Sequence, residues 1–385
     1  MSPAPDLVAT DAPRSTPELA AVAVARVALR ELDLPAPAAA VHHRAVRTDV
    51  RTDRVRGWLV GVGDGTRWGW WGPVDTAAAR QVPGLVEAAL PRLPAEVDPV
   101  GFGRLVRRAT RHAHTGLLAV AVGAIELALW DLAAKRVGEP VWRLLAPEAA
   151  VDRVPAYATC FGVRGGPARI ASVMDAVAGT YPVQKWDPLV LGPELIDVTT
   201  AFVRRHGPGR LAVDFHGRWH PDRVRVACEP LAGALAWVEE PYHPDEVDRA
   251  RPGEFGVPHA AGEHCYGAAD VTQLRAGAVD VWQPDAVFCG GLTSMLSIAH
   301  AARRSGARFA PHGGGLLPAL HLAAAGAPMD VTELHLVLEP RRAAHLAASS
   351  AWTAPETPQG GLPVPTAPGW GGDLHPDLGG DPADA

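Results

Sequence analysis

Apolar positions along this chain change their rhythm twice. From Arg26 to about Val74 they alternate with polar ones, as strands do when one face is buried. ARVALRELDL is one such stretch and RGWLVGVGDGTRWGWWG is a second. The second contains Asp64-Gly65, a dipeptide suited to a tight turn, so the pattern predicts a small antiparallel sheet. A helical period follows. In AVAVGAIELALWDLAAKRVG, Val122, Ile125, Leu129, Leu132 and Ala133 fall on one face, and Gly138-Glu139-Pro140 supplies a stop. Sheet and helix together read as an α+β unit.

Short apolar runs then alternate with helical stretches. They are VPAYA (154–158), YPVQKW (181–186), RLAVDF (210–215), ALAWVEE (234–240), VPHAAGE (257–263), VDVWQPD (279–285), ARFAPH (307–312) and DVTELHLVLE (330–339). A spacing of roughly 20 to 30 residues is that of strand–helix units on a parallel sheet. Eight runs favour a closed barrel over an open doubly wound sheet, whose Gly-rich phosphate turn YATCFGVRGG matches poorly. The boundaries expected are a disordered tail over 1–18, an α+β domain over 19–150 and a barrel over 151–345. The Pro- and Gly-rich segment 346–385 either stays disordered or packs back as a strap.

Composition adds limits. The chain has 385 residues, 48% hydrophobic and 20% charged, which is ample for a buried core. A net charge of −6 does not favour nucleic acid or an anionic membrane, so small-molecule partners are expected. Its four cysteines form no CxxC pair, which argues against a zinc knuckle or a redox pair. The opening MSPAPDLVATDAPR carries acids and prolines in place of an apolar stretch, so no secretory signal is expected. No run of about 18 apolar residues lacks a charge or a proline, and a cytoplasmic enzyme without a membrane span is the expectation.

Lys185, Asp214, Glu239, Glu263, Asp285 and His312 each stand at the end of an apolar run. One acid after a strand is commonly a helix cap. Six polar residues around one barrel mouth mark an active site. Asp214, Glu239 and Glu263 come from consecutive runs, and three close carboxylates cannot all stay ionised without a cation. Ligation by oxygen alone selects a hard ion such as Mg²⁺. Separate salt bridges to arginines are the plainer alternative. Glu240 competes with Glu239, and strand alternation lets one of the pair face inward.

Asp285 beside His312 would fix the imidazole tautomer and raise its basicity, and Gly313-Gly314-Gly315 leaves room for a substrate. Lys185 and His216 lie across the mouth as a second acid or base. A salt bridge from Lys185 to Asp187 or to a ligand carboxylate is the alternative. Tyr157, Cys160 and His264 are candidates to line the pocket, with buried inert packing the alternative for Cys160. Trp70, in the run Trp68-Gly69-Trp70-Trp71, is a candidate to close over it, with core packing as the alternative.

Together these stretches resemble the enolase superfamily, within its mandelate racemase subgroup, over nearly the whole chain. The resemblance rests on AIELALWDLAAKRVGEPVWRLL (124–145), QKWDP (184–188), VDFHGRW (213–219), WVEEP (237–241), AGEH (261–264), WQPD followed by GG (282–291) and APHGGG (310–315). It implies an α+β capping domain over a (β/α)₇β TIM-like barrel, with Mg²⁺ on Asp214, Glu239 and Glu263. It implies His312 backed by Asp285 as one acid/base, and Glu333 or else Glu339 as the last-strand acid that holds the substrate carboxylate. VDFHGRW is similar to sugar-acid dehydratases of the galactonate type, in which the histidine here numbered 216 acts opposite the dyad. Asp187 stands where racemases of the mandelate type carry a second lysine. Glu126 replaces the usual Asp of the helix signature, and RLLAP lacks the common double Gly; both bear on packing. The implied reaction is Mg²⁺-dependent dehydration of an aldonate to a 2-keto-3-deoxy acid. A racemase or epimerase of a 2-hydroxy acid, or a catalytically silent member, are the alternatives. A symmetric homo-oligomer is also implied.

Overall fold

The computed structural model describes residues 21–35, 54–111, 115–148, 151–267, 278–313, 316–336 and 361–378, with Asp270, Leu274, Leu338, Glu339 and Leu346 besides. The tail over 1–18, Gly314 and Gly315 lie outside the described residues. The chain opens with β1 (Val22–Ala23), β2 (Arg26–Pro35), β3 (Arg54–Gly63) and β4 (Trp68–Val74). β2 runs antiparallel to β3 from Arg26 opposite Gly63 to Pro35 opposite Arg54, and β4 continues the sheet. The Asp64 carboxylate holds the hairpin turn by accepting from the Thr66 and Arg67 amides, each at 2.8 Å. Then come α1 (Thr76–Ala79), α2 (Val82–Ala89), β5 (Glu96–Val97), α3 (Pro99–Thr110), α4 (Gly116–Val137) and α5 (Val141–Leu145). β5 pairs with β1.

α4 ends where Gly138 takes a left-handed conformation, φ 77°, that costs a glycine little. The one-faced burial expected of it is too narrow. Every residue from Ala119 to Ala134 is buried, because the β2–β4 sheet covers one side and the barrel the other. Close approach explains Gly123, whose absent Cβ would lie 2.2 Å from the Val287 carbonyl. This helix is long and apolar enough to cross a membrane, yet it is largely buried within the protein, as a core helix is.

The barrel follows as β6 (Arg153–Thr159), α6 (Pro167–Ala178), β7 (Gln184–Trp186), α7 (Ile196–His206), β8 (Leu211–Asp214), α8 (Pro221–Cys228), β9 (Trp237–Glu239), β10 (His259–Ala261), β11 (Val281–Trp282), α9 (Leu292–Ser305), β12 (Arg308–Phe309), α10 (Leu316–Ala324) and β13 (Thr332–His335). These eight strands form one curled parallel sheet in the order β12-β11-β10-β9-β8-β7-β6-β13. Between β12 and β13 the Asp330 amide donates to the Phe309 carbonyl at 3.0 Å, and the Phe309 amide donates to the Asp330 carboxylate at 2.7 Å. Alternation divides the sheet. Tyr157, Ala212, Trp237, Ala260, Val281 and Ala310 pack together inside. Ala156, Ala158, Leu211, Val213 and Val238 pack outward with the helices.

The chain returns in β14 (Gly361–Pro363), antiparallel to β6. Beyond it Trp370 reaches α4, where its indole N–H donates to the Leu127 carbonyl at 2.9 Å. Its ring meets Trp71 of β4 edge-on at 5.4 Å.

Candidate active site at the barrel mouth

Strand parity aims a set of polar side chains at one end of the barrel. Each lies two residues beyond an inward core residue: Thr159 beyond Tyr157, Asp214 beyond Ala212, Glu239 beyond Trp237, Gln283 beyond Val281 and His312 beyond Ala310. β8 and β9 set Asp214 directly beside Glu239. Lys185 of β7 sits among these acids and is buried, as are Asp214 and Glu239. Its ammonium bonds Glu239, lies 3.0 Å from Glu333 Oε1 and 3.7 Å from Asp214 Oδ2. Burial works against its charge, but Glu239, Glu333, Tyr157 and Asp214 outweigh that and hold its pKa well above the ordinary lysine value. The salt bridge runs to these carboxylates, while Asp187 faces His216.

The acids respond in opposite ways. Burial pushes Asp214 up to about 6 and Glu239 up to about 7, although Lys185 pulls both down. Glu263 is raised for the same first reason, with Glu240 and Glu239 adding to it. Glu333 is held well below the carboxylate range. Burial opposes this, and Lys185, His312 and a hydrogen bond from Thr159 overcome it. The Gly313 amide donates to its second oxygen at 2.8 Å. Glu333 is thus the acid of the last strand that meets Lys185; Glu339 is also buried but lies beyond β13. Of the EEP pair, Glu239 faces Lys185, and Glu240 turns to accept from the Gly262 amide at 3.0 Å.

His312 and Asp285 form a pair, Nδ1 to Oδ2 at 2.9 Å. The other Asp285 oxygen accepts from the Val287 amide at 2.8 Å, which fixes the carboxylate. His312 Nε2 lies 3.3 Å from Glu263. Burial lowers its pKa, but Glu263, the Asp285 hydrogen bond and Glu333 carry it up to about 10. Beyond β8, His216 Nδ1 is 3.3 Å from Asp214 and Nε2 is 3.5 Å from Asp187. Burial opposes protonation of His216 as well, and the two aspartates raise its pKa. His264 lies between Glu240 and Glu263, at 3.8 and 3.7 Å.

Not every candidate comes to this mouth. Cys160 packs outward with Ala156 and Ala158 between strand and helices, because it has the opposite parity to Thr159. Trp70 lies in the core of the capping sheet with Leu32, Leu34 and Leu59, stacked on Trp68 at 5.4 Å. Tyr157 is buried beneath the acids, edge-on to Trp237 at 5.0 Å. Reading only the ends of runs passes over Thr159, Trp237 and Gln283, which share the inward parity. It also passes over Phe161, whose ring lies 5.0 Å from that of His216 and 5.5 Å from the Lys185 ammonium.

Among the described residues, no three carboxylate or imidazole groups converge tightly enough to hold a metal in the positions they take. Glu239 is engaged by Lys185, and Glu263 leans on His312. The donor chemistry nevertheless fits a hard divalent cation. Asp214, Glu239 and Glu263 are all oxygen donors, and Asp214, Glu239 and Glu333 share the single ammonium of Lys185, so acidic groups outnumber the cation among them.

Comparison with known proteins gives a consistent result. The family model described as Enolase C-terminal domain-like matches residues 170–378, and the Mandelate racemase / muconate lactonizing enzyme N-terminal domain matches 35–146. D-galactarolactone cycloisomerase of Agrobacterium fabrum (strain C58) is 29% identical over 283 residues, 68% of this chain and 73% of that protein. L-talarate dehydratase of Polaromonas sp. JS666, solved with Mg and L-glucarate, is 25% identical with a TM-score of 0.68, covering 91% of this chain and 95% of that one. An enolase from Bradyrhizobium, solved with magnesium and mandelic acid, shares the fold at 20% identity and a TM-score of 0.74, covering 93% and 97%.

Proposed function

The chain belongs to the enolase superfamily, in the group of mandelate racemases and muconate lactonizing enzymes, and from that premise we propose that it dehydrates an aldonate-type sugar acid to the 2-keto-3-deoxy acid. One observation carries this reading. His216 follows β8 and His312 follows β12, four strands apart in the sheet of eight; His312 rests on Asp285, His216 on Asp187 and Asp214, and cationic Lys185 meets Asp214, Glu239 and Glu333.

Asp214, Glu239 and Glu263 would hold Mg²⁺, which when bound supplies positive charge against the negative charge that develops as the carbon beside a carboxylate is deprotonated. The protein's own groups do the rest. One imidazole takes the proton from C2, and the acid behind it stabilises the imidazolium that results. The imidazole of the opposite wall, held protonated by its own carboxylates, gives a proton to the oxygen leaving C3. The C3–O bond breaks, water departs, and the enol takes a proton at C3 while its C2 hydroxyl gives one up, leaving the ketone. Lys185 stays cationic throughout, so it serves as a donor to substrate oxygen and not as a base. The face on which the substrate carries its C2 proton decides which histidine is the base.

The test is a panel of sugar acids with Mg²⁺ in D₂O, assayed for 2-keto product and for deuterium at C2. His312→Asn and His216→Asn should each abolish product, and the variant that keeps the base should still exchange C2. Wild-type rates of dehydration in both variants would end this reading. The cycloisomerase relative favours a second reading, isomerisation of a sugar-acid lactone through the same proton abstraction. A product of unchanged mass would mark it.

A further inference from the structure

Glu239 has one carboxylate oxygen already saturated. Oε2 accepts from the Trp237 indole N–H at 3.0 Å and from the Gln283 amide at 2.8 Å. A carboxylate oxygen offers two lone-pair positions, so two N–H donors leave none for another ligand. Oε1 points the other way, to the Lys185 ammonium. Both neutral donors are buried and fixed. The Gln283 amide also donates to the Tyr157 hydroxyl oxygen at 3.2 Å, and Tyr157 braces Trp237 edge-on at 5.0 Å. Reversing that amide would turn its oxygen onto the carboxylate, so only one orientation is tolerated.

We propose that Trp237 and Gln283 are positioning residues that make Glu239 meet a cation through Oε1 alone, and that this makes the site prefer Mg²⁺ to Ca²⁺. The proposal rests on the metal site of the preceding section. Mg²⁺ demands near-octahedral geometry, and the narrow bite of a two-oxygen carboxylate fits that poorly. Ca²⁺ takes more ligands in a looser shell and readily accepts both oxygens of one acid. A glutamate denied its second oxygen therefore costs Ca²⁺ a ligand and costs Mg²⁺ none.

The experiment is calorimetric titration of the metal-stripped, full-length protein with MgCl₂ and with CaCl₂, for the wild type, Trp237→Phe and Gln283→Leu. Phenylalanine keeps a ring against Tyr157 while losing the donor. Thermal melting of the metal-free variants shows which are folded, and either variant suffices. Wild type should prefer Mg²⁺. Each variant should narrow the Mg²⁺/Ca²⁺ affinity ratio by about 10-fold, the scale on which groups behind a ligand tune a metal, chiefly through tighter Ca²⁺ binding. A ratio that stays put, or affinities for both ions that fall in step, would overturn the clamp and leave the metal site standing. A wild type that binds neither ion would overturn the clamp together with the metal reading beneath it.

Discussion

Lys185 balances the charge of the barrel mouth. Removing one partner of a buried ion pair costs about 3–5 kcal/mol, because the other is left charged in a poor solvent. Lys185→Met would do this to Glu239 and Glu333 together. The sign of its pH dependence follows. Without the ammonium, the folded-state pKa of Glu239 rises further above its unfolded value and Glu333 loses the strongest pull that holds it low, so the folded variant binds more protons than wild type and loses stability relative to it as pH rises. In metal-free buffer, the melting temperature of Lys185→Met should fall furthest below wild type near pH 8, and the gap should close toward pH 5. A gap that ignores pH would take Lys185 out of the cluster. At this scale the sequence was legible wherever an apolar run stopped at a charged residue. Parity adds Thr159 and Gln283, each two positions beyond an inward residue. It fails at Glu263, which follows β10 through Gly262 in a left-handed conformation, φ 135°, so alternation alone does not aim it.

At the scale of elements, α4 joins cap to barrel through Glu126. Its carboxylate accepts from the Leu292 amide at 2.8 Å, the Thr293 amide at 3.1 Å and the Thr293 hydroxyl at 2.6 Å. It thereby caps the start of α9 from another domain. Gly291, immediately before α9, has φ 111°, and a Cβ there would lie 2.2 Å from Glu126 Oε2. Glu126→Ala should cost about 1–3 kcal/mol, the price of buried donors left without an acceptor, read as a lowered urea midpoint. An unchanged midpoint would deny it the role. The helical period located α4 and its Gly138 stop, but hydrophobicity on all sides hid which faces the sheet and barrel cover. Two acids in so apolar a helix, Glu126 and Asp131, were the legible hint, because a buried carboxylate needs donors and α4's own backbone amides are already used.

For the molecule as a whole, His321 of α10 sits where cap, barrel and returning strap meet. The Trp142 amide of α5 donates to its Nδ1 at 3.1 Å, which leaves the proton on Nε2, 3.4 Å from the Trp370 carbonyl. Burial drives its pKa down to about 3, and the Trp370 carbonyl opposes this only weakly. The unfolded chain, with a histidine pKa near 6.5, then binds the extra proton first. Stability from this group is complete above about pH 6.5 and is lost as pH falls toward 3. At about 1.4 kcal/mol per unit, it should contribute roughly 2 kcal/mol of the loss between pH 7.5 and pH 5. In His321→Asn the side-chain oxygen can still accept the Trp142 N–H but does not titrate, so its urea stability should fall by about that much less over the same interval. Because Trp370 touches both His321 and Trp71 of the cap, at 5.2 and 5.4 Å, acid should loosen both domains together. Near-UV and far-UV circular dichroism should therefore follow one acid transition in the wild type. Equal pH losses in wild type and variant would remove His321 as the cause, and two separate transitions would show that the strap does not couple the domains.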